Sequence, residues 1–185
     1  MAVKTVGSTI SSGATLIATA TPSAASSLSF TNIPSGYKYL FLRWFGVYMS
    51  VNNGYWSIRV NSDTGSNYAF HYSSQVGTTL AGGRSNVTKT SFGNTGDTSA
   101  VIPKTSATST AYDQHGAGSL TIFDYTSTSL RKNIQSISWG DSLGNNILAS
   151  NDGYYTPTGT AITSIDFVRS STETITGTFY LYGVN

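Results

Sequence analysis

A serine nucleophile is the most specific chemistry that this sequence suggests. Residues Gly140-Asp141-Ser142-Leu143-Gly144 match the Gly-x-Ser-x-Gly pattern of a nucleophile elbow, and they follow an apolar, strand-like run. An elbow needs a helix after its serine, and the acid and the histidine that complete it come later in the chain. Here the turn residues Asn151-Asp152-Gly153 follow instead, and both histidines precede Ser142. We therefore predict a turn at this motif and no catalytic residue.

Two further polar groupings contain the residue types of a catalytic or metal site. Asp113-Gln114-His115 places an acid and an imidazole on one side of an extended chain, as in sites where a carboxylate orients a base. Residues 61–67 present oxygen atoms at alternate positions, but the glutamate that closes an EF-hand loop is missing, and a hairpin turn explains the same pattern. Glu173 is the only glutamate, so the paired carboxylates of a glycosidase are hard to assemble. We expect no enzymatic activity, no bound metal and no cofactor.

Aromatic side chains beside Gly- and Asn-rich loops suggest contacts with sugars. An aromatic ring packs against the C–H face of a sugar while nearby amides and carboxylates bind its hydroxyl groups. Tyr112, Tyr154 and Tyr155 lie in or beside such loops and are candidate contacts to a glycan or a partner. Trp139 is a weaker candidate, because its strand needs an inward-facing anchor.

The elements that position these side chains are predicted to be β-strands. No segment shows a helical apolar period, and β-branched and aromatic residues dominate the apolar runs. Short strands between turn residues indicate an all-β fold with two packed antiparallel sheets, for which a jelly roll is the expected form and a barrel the alternative. We predict one β-sandwich domain over residues 14–185 and long loops over 73–99 and 105–117. The predicted strands span residues 15–19, 28–32, 37–49, 55–61, 68–72, 119–125, 134–139, 147–149, 161–169 and 174–184.

Two of these strands have an unusual distribution of apolar side chains. Residues 39–49 are apolar on both faces, so either a loop of the same chain or a partner subunit is expected to cover the outer face. In residues 174–184, Phe179 and Leu181 share one face, whereas Tyr180 and Tyr182 lie on the other as candidate partner contacts. The weakly charged surface favours a homo-oligomer, for instance a trimer. Residues 1–13, poor in apolar side chains, are predicted to be an arm that is either flexible or in contact with a neighbour.

The composition excludes several classes of partner. Only 10% of the 185 residues are charged and the net charge is +2, with Arg131-Lys132 as the only adjacent basic pair. Neutralising a phosphate backbone takes a cluster of basic residues, so we expect no nucleic acid. The chain has no cysteine, which rules out a disulfide framework. No basic and apolar signal region opens the chain, and residues 14–20 are too short to span a bilayer, so we expect no membrane and synthesis in a cytoplasm.

Three stretches of the chain carry strand motifs that also occur together in other proteins. Residues 29–42 contain Ser-Phe-Thr-Asn-Ile-Pro and Tyr-x-Tyr-Leu-x-Leu, residues 59–68 read Arg-Val-Asn-x-Asp-Thr-Gly-Ser-Asn-Tyr, and residues 161–183 run from Ile-x-Ser-Ile to Leu-Tyr-Gly. Together they resemble small all-β structural proteins of tailed bacteriophage particles. The resemblance implies a jelly-roll-like protein of the virion, made in the host cytoplasm, that acts as capsid decoration or cement and contacts the major capsid protein or tail proteins. The alternative is a tail or fibre module that recognises host surface glycans.

Overall fold

The chain folds into β-strands joined by turns. The computed structural model describes residues 13–51, 54–93, 101–103, 116–142 and 145–185, and of residues 86, 87, 141, 142 and 145 only the backbone. Within these ranges there are eleven strands and no helix. The strands are β1 (Ala14–Ala20), β2 (Leu28–Phe30), β3 (Tyr39–Met49), β4 (Trp56–Val60), β5 (Tyr68–Val76), β6 (Thr79–Lys89), β7 (Gly116–Phe123), β8 (Lys132–Ser142), β9 (Asn145–Tyr155), β10 (Ile165–Arg169) and β11 (Ile175–Val184).

The strands form two antiparallel sheets of unequal size. The large sheet has eight strands in the order β1-β11-β3-β7-β8-β9-β5-β6, and the small sheet has three in the order β2-β10-β4. The predicted all-β, antiparallel sandwich is therefore confirmed. A jelly roll divides eight strands between its two sheets, whereas the described strands divide into eight and three.

One predicted loop is wrong. The segment 73–99 begins with the end of β5 and continues into β6, which pairs with β5 from Val76↔Thr79 to Tyr68↔Lys89. Because β6 is at the edge of the large sheet and its residues 79–84 are all exposed, it lacks the alternating apolar pattern by which a strand is recognised. The predicted arm, apart from Gly13, lies outside the described residues, as does most of the predicted loop 105–117.

The hydrophobic core lies between the two sheets. Phe179 of β11 is fully buried, with its ring centroid 5.4 Å from that of Phe167 in the small sheet and 6.5 Å from that of Trp44 in β3. Trp56 and Ile58 of β4 are also fully buried. Apolar inner side chains from both sheets belong to one continuous cluster, so apolar contacts hold the two sheets together.

The opposite face of the large sheet is exposed in the described part of the chain. Along β3 the burial alternates, with Leu42 and Trp44 inside and Arg43 and Phe45 outside. A bulge at Gly46, which has φ +63°, then shifts the alternation by one residue. As a result Phe45 and Tyr48 both face outward.

Candidate functional site

An aromatic patch occupies one half of the exposed face of the large sheet. It comes from β1, β3 and β11 and consists of Leu16, Phe41, Phe45, Tyr48, Tyr180 and Tyr182. Exposure is 50% for Phe45 and for Leu16 and 40% for Tyr48. The Phe45 and Tyr180 rings stack at 5.5 Å between centroids, and the Tyr180 and Tyr182 rings at 6.4 Å. Cross-strand pairing thus joins the side chains into one surface.

Arg43 gives this patch a cation at its centre. It is exposed, opposes Tyr180 of β11 across the strand pair, and lies between Phe41 and Phe45 along β3. Tyrosine, phenylalanine and arginine are enriched at the centres of protein interfaces, because a large rigid ring or a planar cation loses little freedom when it is covered. The patch therefore has the composition of a protein-binding surface. Strand alternation in the sequence placed Tyr180 and Tyr182 on this face.

Tyr154 lies elsewhere on the same face, beside a shallow cavity of about 690 Å³. Its hydroxyphenyl ring is half-buried, and the Arg131 guanidinium carbon lies 5.0 Å from the ring centroid. Across the neighbouring strands, His71 is directly opposite both Asp152 and Arg84. The lining side chains of this cavity on the outer face are His71, Arg84, Phe123, Asn133, Gln135, Asp152 and Tyr154. Such a mixture of rings, amides and charges suits a polar ligand with apolar faces.

Tyr155 points the other way, into the core. It is 3% exposed, its ring centroid is 5.1 Å from that of Tyr68, and its hydroxyl donates to Asp63 Oδ2 at 2.6 Å. Burial first, and then the hydrogen bond to the Asp63 carboxylate, raise the pKa of Tyr155. In this position Tyr155 anchors a turn and has no free ring face for a glycan. Tyr112 and Asp113-Gln114-His115 lie outside the described residues.

Protein donors occupy both carboxylate oxygens of Asp63 in the oxygen-rich turn. Gly65 N–H donates to Oδ1 at 2.7 Å, and Asn67 Nδ2 donates to Oδ2 at 2.8 Å. A turn lies at these residues, but it is not the predicted hairpin, because it leads from β4 of the small sheet to β5 of the large sheet. Among the described residues no group of three or more His, Cys, Asp or Glu side chains is placed to hold a metal ion.

The ionisation of the Asp63 carboxyl group makes the stability of the folded protein depend on pH. Burial by itself would raise its pKa, but the hydrogen bonds from Tyr155, Gly65 and Asn67 outweigh it and the pKa of Asp63 is lowered. Because the folded-state pKa lies below the unfolded value, the stabilisation is complete above the unfolded pKa of about 3.9 and is lost as the pH falls through the folded pKa. We expect Asp63→Asn to be destabilised near neutral pH and to lose less further stability than the wild type below about pH 3.9.

Urea unfolding at a series of pH values measures this effect. Tyr155→Phe is the matched variant, since it removes one donor to Asp63 but keeps the carboxylate and the buried ring. Its acid-dependent loss of stability should lie between those of the wild type and Asp63→Asn. Parallel pH profiles for the wild type and Asp63→Asn would contradict the assigned role.

The Gly140–Gly144 motif lies at the junction of two paired strands. Ser142 is the last residue of β8 and pairs with Asn145, the first residue of β9. A nucleophile elbow leads from a strand into a helix, whereas here the next element is another strand. The motif thus lacks the backbone setting that exposes a nucleophilic serine.

The outer face of the large sheet is accordingly the surface with the clearest capacity to bind. Within the described ranges, no helix is long and apolar enough to cross a membrane. Comparisons with protein-family models, curated proteins and solved structures gave no match to this chain.

Proposed function

We propose that this protein is a non-enzymatic structural component of a tailed-bacteriophage particle, a decoration or cement protein that binds the major capsid protein. The motifs of residues 29–42, 59–68 and 161–183 support the assignment to a virion. The single observation that supports the mode of action is the aromatic patch around Arg43, exposed on a broad, eight-stranded sheet.

The physical properties of the patch suit lasting attachment. Covering apolar surface contributes about 25 cal/mol per Å², and the rings are already ordered by stacking, so little freedom is lost on binding. Arg43 is the only charged side chain among the outer positions of β3. Binding that depends on apolar contact is weakened little by salt, because screening acts on charges. A cement protein benefits from this property, since a particle meets many ionic conditions.

The location of the protein on the particle tests the proposal directly. We expect electron microscopy of purified particles to show it on the capsid shell in many copies, and the reconstruction will also show whether those copies contact one another as a homo-oligomer. Purified protein should bind capsids that lack tails. Density confined to the tail, with no binding to tailless capsids, would contradict the decoration role.

A second candidate function is a tail or fibre module that recognises host surface glycans. The specific observation in its favour is the position of Tyr154, whose half-buried ring lines a cavity together with amide and carboxylate side chains. This site uses different residues from the aromatic patch, so the two functions can be separated by mutation.

A further inference from the structure

Three cavities follow one another along β8 and β9 on the outer face of the large sheet. The first, of about 690 Å³, lies at Tyr154 and Asn133. The second, of about 360 Å³, shares Gln135 and Asp152 with the first. The third, of about 390 Å³, lies at Trp139 and Leu148. We call this row the β8–β9 cleft.

Strand pairing sets the length of the β8–β9 cleft. Asn133 pairs with Tyr154 at one end and Trp139 with Leu148 at the other, and between them lie the pairs Gln135↔Asp152 and Ile137↔Ser150. Six residues of strand separate Asn133 from Trp139, which corresponds to about 20 Å. The ligand that fits this cleft is therefore extended and longer than a single small molecule.

Trp139 supplies an aromatic surface at the far end of the β8–β9 cleft. Its side chain is 53% exposed and that of Leu148 is 45% exposed. The sequence prediction of an inward-facing Trp139 is wrong, because the inner positions of β8 are taken by Ile134, Ser136 and Ser138. Tyr154 and Trp139 thus place one ring at each end. Between them lie the polar side chains of Gln135 and Asp152 and the apolar side chain of Ile137, which is 48% exposed.

The backbone beneath the β8–β9 cleft lies in the interior of the sheet, with a neighbouring strand on each side. β8 pairs with β7 and β9, and β9 pairs with β8 and β5. A peptide that adds a strand needs an unpaired edge, so a ligand in this cleft is recognised by side chains alone. Asp152 and Arg84 carry opposite charges in the same transverse row, and Arg131 lies over the Tyr154 ring. A polyanion requires a larger concentration of cations than two arginines beside one carboxylate, and is therefore disfavoured.

We infer that the β8–β9 cleft binds an extended, neutral oligosaccharide. Sugar rings present C–H faces to Tyr154 and Trp139, and their hydroxyl groups bind the amide and carboxylate groups of Asn133, Gln135 and Asp152. This inference rests on the second candidate function, glycan recognition, and is independent of the aromatic patch. It adds to that function the chemical class of the ligand, its direction along the sheet and the role of Trp139.

Tryptophan fluorescence gives a direct readout of occupancy. The chain has three tryptophans, and Trp44 and Trp56 are buried at 2% and 0% exposure. Trp139 is the one in contact with water, so a saccharide that covers it should shift the emission to shorter wavelength. The probes are neutral oligomers of glucose, galactose, rhamnose and N-acetylglucosamine, each in graded lengths, titrated into the full chain and also displayed on an array.

We expect at least one oligosaccharide series to bind with an affinity that rises with chain length. Trp139→Ala and Tyr154→Ala should each weaken binding about tenfold, and Trp139→Phe should retain most of it. Phe45→Ala is the matched control, because it removes an equally exposed ring of the same sheet outside the cleft and should leave saccharide affinity unchanged. Thermal unfolding of each variant verifies that the fold is intact.

Three results would overturn the inference, and they are distinguishable. Binding that is lost in Tyr154→Ala but unchanged in Trp139→Ala would reject the extended cleft and leave glycan recognition in place. No binding of any oligosaccharide would reject the cleft and the second candidate function together. Sedimentation that shows an oligomer for the wild type and a monomer for Trp139→Ala would assign this face to contacts between copies.

Discussion

Replacing Phe45 and Tyr180 together with serine is expected to weaken binding to tailless capsids by at least about a hundredfold. The two rings stack on each other and form the centre of the aromatic patch beside Arg43. Central aromatic residues of interfaces each contribute on the order of 1.4 kcal/mol or more, and every 1.4 kcal/mol is a tenfold change in affinity. Neither ring is part of the buried core, so the variant should fold normally. Co-sedimentation with purified capsids measures the effect.

An exposed leucine elsewhere provides the control for this variant. Leu130 is 55% exposed and lies outside the patch, in the turn before β8. Leu130→Ser also places a serine at an exposed apolar position and should bind capsids like the wild type. If the Phe45 and Tyr180 variant also bound like the wild type, the aromatic patch would not be the attachment surface.

Phe179→Ala is expected to cost about 3 to 5 kcal/mol of unfolding free energy, the range for removing a large buried aromatic ring. Phe179 is fully buried and contacts the rings of Phe167 and Trp44, so its loss leaves a cavity where the two sheets meet. For a chain of this size such a loss corresponds to a decrease in Tm of about 10 °C. Urea denaturation followed by tryptophan fluorescence measures it, since Trp44 and Trp56 are both buried.

The same substitution at an exposed site serves as the comparison. Phe45 lies on the adjacent strand but faces outward at 50% exposure. Phe45→Ala should cost less than about 1 kcal/mol, since much of its ring is already in water. Equal losses for the two alanine variants would mean that the assignment of inner and outer faces is incorrect.

The alternation of apolar and polar residues along the sequence predicted the strands that have one buried face. It separated Phe179 and Leu181, which are fully buried, from Tyr180 and Tyr182, which are half-buried on the outside. It did not resolve β3, because the bulge at Gly46 moves Val47 to the inside and Tyr48 to the outside. If regular alternation is assumed along β3, Val47 is assigned to the outer face. That face is then predicted to be more apolar than it is.

The residues of the candidate glycan site were less predictable. His71, Arg84 and Asp152 come from three strands and meet only through the pairing of β5 with β6 and β9. Trp139 was expected to face inward but faces outward, because serines take inner positions of β8. Tyr155 was a candidate contact to a glycan or a partner, but it is buried and its hydroxyl donates to Asp63. The local sequence does not show which residues face each other across neighbouring strands. It also does not show a hydrogen bond between two residues that are 92 positions apart in the chain.

The position of β11 also determines when the aromatic patch becomes complete. β11 is later in the chain than every other described strand, yet it lies between β1 and β3 and pairs with both. During synthesis on the ribosome β1 therefore has no neighbour until β11 emerges, and pairings across such long separations form slowly. A nascent chain interrupted before β11 lacks Tyr180 and Tyr182 and hence two of the five rings of the aromatic patch. The order of translation thus leaves the aromatic patch incomplete until the last of the described strands has been made.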